Sequence, residues 1–320
     1  EICACLVGSE MCIRDSFLAD YSRQGRAVYE QQLNLTAEEA DRLIALLEIN
    51  LRPENRTYRY NYVKDNCSTR PVAMIEDAIG DTLSFTAPDL SSGWSFRDAM
   101  RNYHKGYPWY QFGIDLALGN GIDYTLSDRE KGFAPMMLME MMDSASRGSD
   151  GRTIASRPEI IMPAGVAGGP LPSTPWYFSP IAVALLLLAI TIAIVCADIR
   201  HHRITRWFDT VMFTLMGVGG CIITFLIFIS VHEATSPNLL LLWLNPFCLI
   251  IPACIYIKKC RRLVLWYGIV NFVAIILLTI LWPLSGQSGN LAFIPLILCD
   301  ALLSARQIYI IKCDEKTTLV

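Results

Sequence analysis

Residues 176–197 read WYFSPIAVALLLLAITIAIVCA, a run without a single charged residue. A bilayer core of roughly 30 Å needs about 20 apolar residues in a helix, so this stretch predicts a membrane crossing. Four more candidates follow at 210–231, 239–257, 263–282 and 291–311. The connections orient them. The first, 198–209, carries Arg200, Arg203 and Arg206, and the third carries Lys258, Lys259, Arg261 and Arg262, whereas the second (HEATSPN) and the fourth (PLSGQSGN) carry no Lys or Arg. Lys and Arg concentrate in cytoplasmic loops. Loops one and three are therefore expected inside, with loops two and four and the N-terminal region outside. The tail 312–320, with Lys312 and Lys316, is expected in the cytoplasm, as five crossings require.

The average composition, 53% hydrophobic with a net charge of −3, conceals two unlike halves. Charges are frequent and apolar runs short over 17–175; apolar runs dominate over 176–311. Cys67 is the only cysteine between residues 17 and 175, while Cys196, Cys221, Cys248, Cys254, Cys260, Cys299 and Cys313 lie in or beside the apolar segments. There they are expected to pack as small apolar residues. No CxxC pair or Cys/His cluster points to a metal, no nucleotide, haem or nucleic-acid signature is present, and no cofactor is expected. Trp176, Tyr177, Trp207, Trp243, Trp266 and Trp282 fall near helix ends, where interfacial aromatics sit. Pro246 and Pro252 interrupt the third segment, where proline frees backbone carbonyls. Asp300 falls near the middle of the fifth; an intramembrane carboxylate is a functional candidate, or else a hydrogen-bonded group facing a neighbouring helix. Asn245 and Asp300 are taken as candidate membrane-site residues. Gly217, Gly219 and Gly220 are expected to allow close helix contact.

Residues 1–16, EICACLVGSEMCIRDS, are set aside: 5–16 match one translated frame of a common sequencing adapter, so the domain is expected to start near Phe17 and to be N-terminally incomplete. The outer domain is then 17–143, followed by a Gly-, Pro- and Ser-rich tether over 144–175. Within the domain, LNLTAEEADRLIALLEINL reads as a helix capped by Thr36, with Glu39 completing a capping box and Leu43, Ile44, Leu46 and Leu47 supplying the apolar face. Residues 57–63 alternate aromatic with polar and predict a strand. Val72, Ile75 and Ile79 recur at helical spacing, with Gly80 as the stop. Further helices are expected around 96–103 and 130–142.

Cys67 thus sits where an extended segment turns into a helix. A helix amino end presents free N–H groups and partial positive charge. Both favour a thiolate, with Arg70 nearby, and the same N–H groups suit an oxyanion. A lone cysteine in an oxidising compartment is either a reactive thiol or a structural one. A thiol nucleophile needs a base, usually histidine. His201 and His202 fall on the cytoplasmic side; His104 and His232 are on the correct side and are minor candidates, and a histidine preceding Phe17 is the leading one.

At YNYVKDNCSTR the sequence resembles the Lnb family, membrane lipoprotein N-acyltransferases of Bacteroides-type bacteria. The resemblance also takes in residues 25–39, ending YEQQLNLTAEE, and runs on through SFRDAM, PWYQFGIDLALG, the FAP segment and HEATSPN–LLLLWLNP. It implies an α+β outer domain with a permuted papain- or NlpC-like thiol fold, followed by an all-α five-helix bundle, in the bacterial inner membrane. It implies that Cys67 attacks a phospholipid ester, and that the acyl chain then passes to the α-amine of a diacylglyceryl-cysteine lipoprotein. Asn66, Thr69 and Arg70 would support Cys67; Trp109, Asp115 and Asp123 match family positions, in direct or purely structural roles. The family's upstream Gly-His segment, its expected base, is missing here. Two other functions stay open: a thiol amidase or peptidase acting on cell-wall peptide, and a non-enzymatic membrane sensor or assembly factor.

Overall fold

A computed structural model describes residues 11–55, 57–85, 92–165, 173–230 and 232–318. The expected artefact 1–16 lies outside these for residues 1–10; its remainder opens the first helix. The chain forms two compact units, Glu1–Ala99 with Thr125–Pro172, and Met100–Tyr124 with Ser173–Val320.

In the first unit, α1 (Met11–Gln24) and β1 (Val28–Glu30) precede α2 (Ala37–Leu51). The capping box forms as expected: Glu39 N donates to Thr36 Oγ1 at 3.2 Å and Thr36 N to Glu39 Oε2 at 2.8 Å. Glu39 also accepts Arg152 Nη2 on both oxygens, at 2.6 and 2.7 Å. The charge-assisted bonds from Arg152, then the bond from Thr36, hold its carboxyl below the ordinary glutamate value. Leu47 is buried, but Ile44, expected on the same face, is exposed because α2 covers only a narrow stripe. Next come α3 (Thr69–Ile79), β2 (Leu83–Ser84), α4 (Phe96–Tyr103) and α5 (Pro108–Ala117), the chain leaving this unit within α4. Gly80 ends α3 in the left-handed region, φ 67°, where a side chain is strained.

Three expectations fail here. Residues 57–63 do not form a strand. Asn61 Oδ1 accepts the Val63 and Lys64 N–H groups at 3.2 and 3.1 Å, and this side-chain turn bends the chain back so that Asn61 pairs with Asp65. The helix over 130–142 is two helices, α6 (Asp128–Lys131) and α7 (Pro135–Met142), because Pro135 has no N–H to continue a helix and fits only its first turn. Residues 144–175 are no simple tether. β3 (Ser146–Arg147) pairs with β2, and β4 (Glu159–Met162) pairs with β1, both antiparallel. Between them Ile154 and Ala155 join Val72, Ile75, Ile79, Leu83, Met142 and Ala145 in the core. The described strands thus make two two-stranded ribbons in a helix-rich unit, and no wider papain-like sheet is present among the described residues.

Among the described residues the second unit holds four helices long and apolar enough to cross a membrane: α8 (Pro180–Arg200), α9 (Arg206–Phe228), α11 (Arg261–Ser285) and α12 (Phe293–Thr318). Leu186, Leu215, Ile222 and Val270 are exposed on them, a surface suited to lipid. α12 takes in most of the expected tail 312–320. The expected third crossing, 239–257, is not one helix. It is a chain of single turns, Leu239–Leu242 and Pro246–Leu249, followed by α10 (Ile250–Cys254). Asn245 is extended, at φ −136° and ψ 156°, because a residue before proline is driven out of the α region. Broken backbone at membrane depth survives only against protein, and α9 supplies it. A Cβ at Gly220 would lie 2.3 Å from the Asn245 carbonyl carbon, and one at Gly217 2.6 Å from the Leu249 side chain. Trp243, expected at the interface, is instead buried in this core, whereas Trp176, Trp207 and Trp266 are exposed.

Residues 100–124 belong with the membrane helices, so 17–143 is not one continuous domain. Gly119 N donates to Ala234 O and Asn120 N to Pro237 O, both at 2.9 Å, which seats the HEATSPN loop on the end of the α5 segment. A Cβ at Gly119 would meet Pro237 O at 2.1 Å, so this contact requires glycine. Asn238 Nδ2 donates to Leu116 O at 3.0 Å, Asn120 Nδ2 to Ser285 O at 3.1 Å and Ser288 N to Asp123 Oδ2 at 3.2 Å.

Candidate functional site

Cys67 is an exposed free thiol immediately before Ser68, the residue that opens α3. Its neighbour Asn66 is buried and uses its whole side-chain amide. Oδ1 accepts the Ser68 and Thr69 N–H groups at 2.8 and 3.0 Å, capping the helix, while Nδ2 donates to Tyr62 O and Phe133 O, each at 3.0 Å. Thr69 Oγ1 accepts Asn66 N at 2.9 Å and closes the turn from the other side. Asn66 and Thr69 therefore hold the backbone on both sides of the sulfur and leave the thiol outward.

Arg70 does not serve the thiol as a bare positive charge. Its Nε and Nη2 clasp Asp65 at 2.7 and 3.0 Å, and its guanidinium lies 3.3 Å from the centre of the Tyr58 ring. Tyr58, Tyr60 and Tyr62 are exposed and form an aromatic surround. The Tyr60 phenol is pushed above its ordinary value, first by desolvation and then by its electrostatic interaction with the neighbouring Cys67 and Tyr58. The tyrosine-rich lead is thus a rim beside the sulfur rather than a strand.

All four histidines lie in the other unit. His104 Nδ1 meets Gln111 Oε1 at 2.8 Å, Gln111 Nε2 donates to Asp115 Oδ1 at 2.9 Å, and Asp115 is buried. Arg101 Nη2 and Asn290 Nδ2 also reach Asp115, at 3.3 and 3.1 Å. Arg101, His104, Lys105, Gln111 and Asp115 line a cavity of about 540 Å3 that continues onto Pro180, Ile181 and Leu291 at the ends of the membrane helices. Trp109 Nε1 donates to Phe178 O at 2.7 Å. Trp109, Asp115 and Asp123 thus each bond to the membrane helices or their connections. His232, in the HEATSPN loop, is exposed.

Of the membrane candidates, Asp300 is fully buried and accepts Asn271 Nδ2 at 2.7 Å and Ser304 Oγ at 3.2 Å, so it joins α12 to α11. Asn245 contributes backbone to the contact with Gly220. The sequence reading missed a second buried set. Arg306 bonds Asp198 at 2.7 Å and clasps Asp209 with Nη2; Gln307 Nε2 donates to Asp209 at 2.8 Å, and Thr205 Oγ1 to Asp198 at 2.7 Å. The signal was there: an arginine inside the span 291–311, with acidic residues at both ends of the first connection. Among the described residues, no three His, Cys, Asp or Glu side chains gather as a metal site.

The family model described as the Lnb N-terminal periplasmic domain matches residues 14–101, and that described as the Lnb transmembrane domain matches residues 172–315. Neither a curated protein nor a solved structure matches the chain.

Proposed function

Because the chain belongs to the Lnb family, with a periplasmic domain and a transmembrane domain in one polypeptide, we propose that it is a lipoprotein N-acyltransferase of the bacterial inner membrane. The observation that carries this reading is Cys67: an outward thiol at the amino end of α3, on a turn that Asn66 and Thr69 make rigid. In the first step Cys67 Sγ attacks the ester carbonyl carbon of a phospholipid. The C–O bond breaks, the lysophospholipid alcohol leaves with a proton, and a thioester forms. In the second, the α-amine of a diacylglyceryl-cysteine lipoprotein attacks the thioester. The C–S bond breaks, an amide forms, and the amine's proton returns to the thiol by way of a histidine. The unit that holds Cys67 contains no histidine, so the base comes from elsewhere in the protein. The Ser68, Thr69 and Arg70 N–H groups that open α3 are already bonded to Asn66 and Pro71 has none, so what they leave for the oxyanion is the helix dipole rather than free donors. The unit is read as the helical part of a permuted thiol fold.

The membrane unit supports a lipid substrate. A one-helix anchor would suffice for a cell-wall hydrolase, but here a largely apolar cavity with Arg101, His104 and Lys105 on its lining opens beside apolar helix ends. It is suited to a lipid headgroup with its chains along the bundle. Segment 239–257 is taken as the third of five crossings, in broken form, with the C-terminus cytoplasmic.

The test is mass spectrometry of a lipoprotein's N-terminal peptide, after expressing the complete reading frame in a membrane that supplies diacylated lipoprotein. A third acyl chain made by the parent and not by Cys67→Ala is expected. No added acyl mass from well-expressed parent protein sinks acyl transfer and favours cell-wall peptide. Equal acylation by both keeps the function and removes Cys67 as its nucleophile.

A further inference from the structure

The Lys- and Arg-rich end of the membrane bundle contains a cavity of about 600 Å3. It exists because the broken third segment gives out: α10 ends at Cys254, the chain runs through Tyr256 and Ile257, and a single turn over Lys258–Cys260 leads into α11. His202, Arg203, Arg206, Lys258 and Arg261 line the opening, while Val264, Ile310 and Ile311 form an apolar wall behind them. Among the described residues Asp314 is the one carboxylate on the lining, and it is paired with Arg261. Asp198, 3.8 Å from Arg203, is held by Arg306 and Thr205. Among the described residues four cationic side chains thus converge on a lining with one carboxylate, and Asp198 touches Arg203 from outside it. The first turn of α9 starts at the same place, and its cap residue Thr205 turns its hydroxyl to Asp198, so that turn has no side-chain cap. Helix amino ends favour anions. A preference for Lys and Arg in cytoplasmic loops explains their number; it does not explain their arrangement around a cavity with an apolar wall.

We propose that this cavity binds the phosphate of an anionic phospholipid headgroup, with the acyl chains against the neighbouring bundle surface. Basic pockets between membrane helices bind such headgroups. The lipid source is favoured over a soluble phosphate because the opening adjoins exposed Trp207, Tyr256 and Ile257, which a soluble ion would leave uncovered. The lining contains no residue of the unit that holds Cys67, and the proposal does not depend on the acyl-transfer reading.

The experiment uses the purified full chain in uncharged detergent. Dioleoylphosphatidylglycerol, dioleoylphosphatidylcholine and inorganic phosphate are added separately, and retention by native mass spectrometry and the thermal midpoint are read. Phosphatidylglycerol is expected to stay bound and raise the midpoint, with neither effect from the other two. Arg206→Gln with Lys258→Gln, neither ion-paired among the described residues, is expected to weaken phosphatidylglycerol binding by about tenfold or more. Arg206→Lys with Lys258→Arg keeps the charges and should keep the binding. Equal retention of phosphatidylcholine overturns the proposal, as does unchanged binding by the glutamine variant. A phosphate effect matching that of phosphatidylglycerol overturns the lipid source. Should the glutamine variant not fold, Lys258→Gln alone is read in its place, and unchanged phosphatidylglycerol binding by it overturns the proposal.

Discussion

Arg70 and Arg306 both hold carboxylates, under opposite conditions. Arg70 and Asp65 keep 29% and 42% of their side chains exposed, whereas Arg306, Asp198 and Asp209 are all at 0%. An ion pair in water gains little beyond what solvent already provides. A buried one has lost its water and must be complete, since removing one partner strands the other charge. The first arrangement therefore shapes a loop beside a thiol, while the second fastens α12 to the ends of α8 and α9. The same residue types serve as local orientation in one unit and as a structural requirement in the other.

That contrast orders the expected effects. Arg306→Met leaves two buried carboxylates facing each other and should cost about 3–5 kcal/mol, read as loss of folded protein or a large drop in thermal midpoint. Adding Asp198→Asn and Asp209→Asn should restore most of it. A small effect of Arg306→Met would break the contrast at its strong end. Next is Asn66→Ala. It removes the cap of α3 and strands the carbonyls of Tyr62 and Phe133, for about 2 kcal/mol, and acyl transfer should fall with it because the thiol loses its fixed turn. Glu39→Gln should cost about 1 kcal/mol at neutral pH through its bonds to Arg152. Glu39 is depressed in the fold from an ordinary value of 4.5. Its stabilisation is therefore complete above that value and lost as pH falls through the folded one, so parent and variant should converge on acidification. A gap that widens toward low pH would contradict the Arg152 pairing. Smallest is Arg70→Ala, below about 1 kcal/mol. If its loss unfolds the protein as Arg306→Met does, exposure is not what separates the two pairs.

The residues show why some of this was legible beforehand. The capping box at Thr36, the stop at Gly80 and four long apolar spans are written in local order, since caps, left-handed glycine and bilayer-length runs depend on neighbours within a few positions. The strand over 57–63 failed on equally local grounds: an alternating pattern does not reveal that Asn61 will turn the chain with its own side chain. The third membrane segment has the composition of a helix, but Pro246 and the glycines of α9 make it a series of turns. The tether over 144–175 failed because β4 pairs with β1, more than 100 residues earlier in the chain.

From sequence alone came the membrane class, the Lys/Arg asymmetry of the connections, the caps and Cys67 as the one cysteine of the outer region, because each rests on composition or short-range spacing. Tertiary structure alone decided that Asn66 spends its whole amide on the turn around Cys67, and that Arg70 belongs to Asp65 and Tyr58. It also decided that residues 100–124 join the membrane unit and that Arg306 closes on Asp198 and Asp209. The Phe133 bond of Asn66 and the closure of Arg306 depend on which buried polar groups find each other across 67 to 108 residues of chain. That is settled by the need to satisfy them once water is gone, and no local pattern records it.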